Sequence, residues 1–250
     1  MEVAGDSARK GEDMKKIRGF VWILLAVLPL CAILHAQQPA TTSANQRAER
    51  IPNLDLLKKE LRDYKACTFP TDCYSKDIDE QAQKAIEFLR KRAAQRKNGE
   101  KIAMVLDIDE TTLSNYEEMN KADFAYDSAA FNAWIESAQA PAIEGTLRLY
   151  REARQLGVAV IFLTGRAETQ RLATEKNLRF AGFADWEKLI LRAPEQKNLN
   201  AEDYKSAERA KLVAAGWVLV LSVGDQWSDL RGAPEAEFSV KYPNPYYFLP

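Results

Sequence analysis

Residues 102–111 read IAMVLDIDET: five apolar side chains in succession, then two aspartates one residue apart, a glutamate and a threonine. An apolar run this short, closed abruptly by charge, reads as a strand buried on both faces in a parallel sheet. Two more runs follow the same plan. Val158–Leu163 ends in Thr164-Gly165-Arg166, and Trp217–Val223 ends in Gly224-Asp225-Gln226-Trp227-Ser228-Asp229. Helical apolar spacing separates them over Ser128–Ala138, Ala142–Gln155, Ala167–Phe180 and Ala201–Ala215. Strands alternating with helices predict an α/β fold built on a doubly wound parallel sheet. Leu189–Leu191 and Phe238–Lys241 add two short strands, and Asn53–Lys65 and Asp79–Arg96 predict helices ahead of the first strand. Leu113–Ala140 is too long for a simple strand-to-helix loop and carries Tyr116, Phe124, Tyr126, Phe131 and Trp134. It reads as a small, largely helical cap inserted after the first strand, at about residues 113–140.

In an open parallel sheet the carboxyl ends of the strands border the ligand crevice, so the three polar clusters converge on one edge. Asp107 and Asp109 point the same way if the chain is extended there. Asp225 and Asp229 share a face if a helical turn follows Gly224. Four carboxylates gathered in one place repel one another unless a divalent cation or protons relieve them. An all-oxygen site without histidine fits Mg²⁺ best. The chain's one histidine, His35, falls in the expected N-terminal export signal, so the mature chain would contain none. Serine–histidine–aspartate triads, cysteine–histidine pairs and most zinc hydrolases are thereby excluded. Thr164 and the amide of Gly165 can donate to a phosphoryl oxygen. Lys205 sits in the early turns of the helix beginning near Asn200, where the helix dipole disfavours a cation, so it reads as a site residue; Lys197, in a loop, is the competing lysine.

The N-terminus reads as an export signal occupying residues 1–36. Phe20–Leu34 is a 15-residue apolar run, shorter than the about 18 to 20 residues that span a bilayer. Lys15, Lys16 and Arg18 precede it, and cleavage after Ala36 completes the pattern. Glu2, Asp6, Glu12 and Asp13 spoil the positive region, which makes Met14 the better start. An uncleaved anchor and lipid attachment at Cys31 are the alternatives, the latter opposed by the bulk of Leu30. Residues 37–52 read as a flexible tail, and 53–250 as the folded domain. Cys67 and Cys73 bracket TFPTD; in an oxidising compartment they predict a disulfide, contributing about 2 kcal/mol by loop closure. Two free thiols are the alternative. Formal charge is -1, with no global pull toward nucleic acid or anionic membrane. The basic run Arg90–Lys101, broken by Glu100 and free of aromatics, reads as a solvated helix end.

DIDETTLSN, FLTGR, YKSAERAKL, GDQWSDL and the final NPYYFLP together resemble the haloacid-dehalogenase superfamily. Within it they resemble the acid-phosphatase branch that includes class B-like acid phosphatases and plant vegetative storage proteins, over about Asn53–Pro250. The resemblance implies a Mg²⁺-dependent hydrolase of phosphomonoesters, which the export signal would make secreted or periplasmic. The cap rings Tyr116, Tyr126, Phe131 and Trp134 could stack on an aryl or base leaving group, so aryl phosphates or nucleotides are the candidate substrates. The resemblance also implies Asp107 as nucleophile and Asp109 as general acid and base. The metal would be held by Asp107, the backbone carbonyl of Asp109, and Asp225. Thr164, Gly165 and Lys205 would bind the phosphoryl group, and Asp229 would support the metal or the lysine. A catalytically weak storage protein on the same scaffold and a phosphotransferase are the competing expectations.

Overall fold

The computed structural model of the chain describes residues 51–68 and 72–249, so the expected export segment and most of the tail lie outside the described residues. Five strands make one all-parallel sheet: β1 (Lys101–Leu106), β2 (Ala159–Ala167), β3 (Lys188–Arg192), β4 (Trp217–Gly224) and β5 (Phe238–Lys241), in the order β3-β2-β1-β4-β5. The chain builds outward from β1 to β3, then crosses back to lay β4 on the other side of β1. The direction of winding therefore reverses between β1 and β4, the position at which open α/β sheets place their ligands.

Side chains alternate across the sheet because the strand period is two. Met104, Leu106, Val160 and Phe162 enter one core together with α2 (Tyr74–Ala94) and α5 (Glu144–Gln155). Ala103, Val105, Ile161 and Leu163 enter a second core against Tyr204 and Leu212 of α7 (Ala201–Ala214). Burial of both faces explains why the strands read as unbroken apolar runs. On the α2 side, Gly145 allows α5 a close approach: a Cβ there would lie 2.9 Å from Ile78 Cγ2 and 3.1 Å from Ala82 Cβ.

Between β1 and α5 lie α3 (Tyr116–Lys121) and α4 (Ser128–Ser137), which occupy the segment expected to be a cap. Tyr246 collects its rings: it packs on Tyr116 at 5.5 Å and stacks on Phe124 at 6.0 Å between centroids. The amphipathic α1 (Leu54–Ala66) buries no residue. It is fastened instead by the Cys67–Cys73 disulfide, which clips its end to the start of α2, and by Lys58 and Arg62, which meet Asp123 at 2.5 and 2.6 Å. Helix α6 (Arg171–Phe180) follows β2.

Several boundaries differ from the sequence expectation. The helix α2 starts at Tyr74 rather than Asp79, because Tyr74 and Ile78 extend its buried stripe by a turn. Strand β2 continues through Thr164-Gly165-Arg166 to Ala167, with a register shift against β3, so α6 begins only at Arg171. An antiparallel bridge between Leu113 and Ala142 keeps Ala142 extended and delays α5 to Glu144. No helix among the described residues is long and apolar enough to cross a membrane.

Candidate active site

Asp107 is the first residue beyond β1, its amide donating to the carbonyl of Val223 at 3.0 Å. The loop after it is closed by threonines: Thr112 Oγ1 donates to the Asp107 carbonyl at 2.6 Å, and Thr146 Oγ1 to that of Thr111 at 2.5 Å. Glu110 takes a left-handed conformation, φ 55°, held by the backbone and side-chain amides of Asn115 at 2.6 and 2.9 Å. Strain of that kind gathers at functional sites because packing has to enforce it.

At the end of β4, Gly224 gives way to a 3₁₀ turn over Trp227–Asp229. A side chain at 224 would overlap the Cβ and carboxyl of Asp229, so glycine is required for the loop to fold back. The Gln226 amide donates to Asp229 Oδ2 at 2.8 Å and fixes that carboxylate inward. Helix α7 is capped by Asn200, whose side chain accepts from the Asp203 amide, and it delivers Lys205 to the same place. Lys205 Nζ donates to Asp107 Oδ1 at 2.6 Å and to Asp229 Oδ1, with all three side chains at most 7% exposed. Lys197 is exposed and takes no part.

Asp107, Asp225 and Asp229 thus form a buried trio, each offering a carboxylate oxygen within 4.8 Å of the others. Burial first, then the neighbouring carboxylates against the pull of Lys205, pushes Asp107 well above the usual carboxylate range. Burial and Asp229 push Asp225 up to about 6. Burial alone would lower Lys205, but Asp107 and Asp229 outweigh it and hold the ammonium charged. Three buried carboxylates against one lysine leave an excess of negative charge. That imbalance and the all-oxygen donor set fit a hard divalent cation.

Asp109 is set apart from the trio. Arg166 grips it with Nη2 at 2.7 Å and Nε at 3.1 Å to Oδ1, and with Nε at 3.1 Å to Oδ2. Asn115 Nδ2 adds a bond to Oδ1 at 2.9 Å. Arg166 and Asn115 overcome the effect of burial and hold Asp109 below its ordinary range. Arg166 is buried and braced by Thr174 at 3.2 Å. Thr164 is fully buried two residues past Phe162, the β2 partner of Leu106, and Gly165 beside it is exposed to solvent.

The fold brings Asp107, Asp225, Asp229 and Lys205, all read from the sequence, into contact, with Asp109 beside them. Sequence reasoning assigned no role to Arg166, Asn115, Gln226 or Asn244. Arg166 stood inside the quoted TGR, a signal that was there to use. The amides had none, since an uncharged side chain in a loop leaves no periodicity and no charge pattern to read. Of the cap rings, Tyr116 is engaged by Tyr246, and Trp134 Nε1 donates to Asn115 Oδ1 at 2.9 Å. Tyr126 is 79% exposed and packs on Phe131 at 5.9 Å.

Acid phosphatase 1 of Solanum lycopersicum is 43% identical to this chain over 148 residues, 58% of each chain. The stem 28 kDa glycoprotein of Glycine max is 40% identical over 60% of this chain and 61% of its own. Vegetative storage protein 1 of Arabidopsis thaliana is 34% identical over 58% of this chain and 55% of its own. These matches span about three fifths of the relatives' lengths. Among solved structures, the class C acid phosphatase from Bacillus anthracis with tungstate bound shares the fold at a TM-score of 0.62 and 23% identity, over 77% of this chain and 86% of that one. The profile of the HAD superfamily, subfamily IIIB (acid phosphatase), matches residues 27–250, and the chain belongs to that family.

Proposed function

We propose that this protein is an exported, Mg²⁺-dependent acid phosphatase that hydrolyses phosphomonoesters through an aspartyl-phosphate intermediate. The observation that carries the reading is Asp107: a buried carboxylate at the end of the central strand, 2.6 Å from Lys205 Nζ and grouped with Asp225 and Asp229. In this reading an Asp107 oxygen attacks phosphorus and the bond from phosphorus to the leaving oxygen breaks. Asp109, which Arg166 and Asn115 favour as the carboxylate, must first take up a proton; it gives that proton to the departing oxygen, then takes one from the water that attacks the aspartyl phosphate. That second attack releases phosphate and restores Asp107. Lys205 and the donors at Thr164 and Gly165 face the charge on the phosphoryl oxygens, where electrostatic stabilisation dominates. Asp107 and Asp225 with the Asp109 carbonyl would hold Mg²⁺, Asp229 supporting them. When bound, the cation offsets the carboxylate excess and the phosphoryl charge together.

Asp107→Asn tests the nucleophile. Turnover of an aryl phosphate should fall on the order of 10⁴-fold or more, with the circular-dichroism spectrum unchanged. Near wild-type turnover in that variant would sink the covalent mechanism. Chelation should silence the wild-type chain, and Mg²⁺ should restore it better than Zn²⁺; full activity in a metal-free sample rules the cation out.

A second reading, a storage protein with little turnover, is favoured by the vegetative storage protein among the relatives. Retention of Asp107, Asp109, Asp225, Asp229 and Lys205 weighs against it.

A further inference from the structure

Asp225 differs from the other carboxylates of the site in how it is held. Asp107 and Asp229 share the ammonium of Lys205, and Asp109 has the guanidinium of Arg166. Among the described residues Asp225 has no ion pair with a cationic side chain, although it is 1% exposed. Its partners are neutral. Oδ1 accepts from the Thr111 hydroxyl at 3.1 Å, and Oδ2 accepts from two amides at 2.7 Å each, Gln226 Nε2 and Asn244 Nδ2.

Neutral donors orient a carboxylate without cancelling its charge, whereas a lysine or arginine in the same place would compete with a metal. Asn244 belongs to the segment after β5, which has no helix or strand of its own. Its Oδ1 accepts from the Tyr246 amide at 2.8 Å and closes a turn. The turn is seated by the Tyr246 ring, which packs on Tyr74 at 6.0 Å and on the cap rings Tyr116 and Phe124. Gln226 is tied to the same segment, its Oε1 accepting from the Leu249 amide at 3.2 Å. Both amides on Asp225 Oδ2 thus depend on residues 244–249.

We propose that Asn244 is the positioning residue of the metal carboxylate, and that the segment after β5 sets how tightly the site holds its divalent cation. The inference rests on the metal role proposed above for the Asp107, Asp225 and Asp229 cluster. Donors behind a metal ligand fix its orientation, and their loss costs about 10- to 100-fold in metal affinity.

The test is Mg²⁺ binding by Asn244→Ser, because a serine hydroxyl can still accept from the Tyr246 amide while no longer reaching Asp225 as the amide does. Chelator-stripped protein is titrated with Mg²⁺, followed by the rise in melting temperature and by calorimetry. Half-saturating Mg²⁺ should rise about 10- to 100-fold, and excess Mg²⁺ should recover turnover. Equal Mg²⁺ affinity in the variant and the wild type overturns the role of Asn244, and so does a lower metal-free melting temperature with affinity unchanged. Should Asn244→Ser not fold, Gln226→Met removes the other amide from the same oxygen and carries the same expectation. A wild-type chain that does not respond to Mg²⁺ refutes the metal reading itself, an outcome distinct from an equal response in both proteins.

Discussion

Arg166 shows what one residue contributes that its neighbours cannot. Among the described residues its guanidinium makes the ion pair to Asp109, and with Asn115 it loads Oδ1 with three donors while Oδ2 has one. Oδ2 is therefore the oxygen with capacity left for a substrate or a water. An arginine that only filled space would affect all substrates alike when removed. One that aims a general acid should matter most where the leaving oxygen needs a proton. We expect Arg166→Ala to cost about 100-fold or more in kcat on alkyl phosphates and far less on p-nitrophenyl phosphate, whose leaving group departs unprotonated. The ratio of the two rates is the measurement. Equal losses on both substrates would reduce Arg166 to a packing residue, and Asp109→Asn run alongside should show the same selectivity if Asp109 is the acid.

Among the elements, α2 and α5 depend on close approach. Gly145 sits in the first turn of α5, where glycine costs helix stability of about 1 kcal/mol relative to alanine, yet any side chain there meets Ile78 and Ala82. Gly145→Val should therefore destabilise the chain by about 1–3 kcal/mol through overpacking, read as a lower urea midpoint, with turnover per folded molecule retained. A stability equal to wild type would mean that α2 yields without cost. The same elements show what a sequence discloses. The three long strands and Lys205 on α7 were legible, because double burial writes an unbroken apolar run and a lysine near a helix start defies the dipole. Helix α3 was not, being only six residues, Tyr116–Lys121, with none buried. Nor was the length of β2, because Thr164-Gly165-Arg166 looks like a loop in composition while the backbone keeps it extended. The segment after β5 was noted only as a motif, its role resting on amide contacts with residues far away in sequence.

For the whole molecule, the site is a cost that the fold carries. The sheet and its two cores would stand without Asp107, Asp225 or Asp229, whose burial and mutual repulsion raise Asp107 and Asp225 above their ordinary range. The sign follows from linkage. A carboxylate raised in the folded state takes stability away once pH exceeds its unfolded value, and that loss is complete above the folded one. For Asp225 the window runs from the ordinary aspartate range to about 6. In chelator at pH 7, Asp225→Asn should therefore melt higher than wild type, while below about pH 4 the two should converge. A lower melting temperature for the variant at pH 7 would show that the hydrogen bonds from Gln226 and Asn244 outweigh the repulsion.

The carboxylate trio has a consequence for descent. Where selection asks for turnover, the crowded charges must be kept despite their cost to the fold. Where it asks only for an abundant, durable protein, a change that removes one of them would relieve repulsion and, on the proposed function, end turnover in a single step. A lineage on this scaffold therefore stands beside a one-mutation slope from enzyme to inert protein, and stability points down it. This chain keeps all three of those carboxylates.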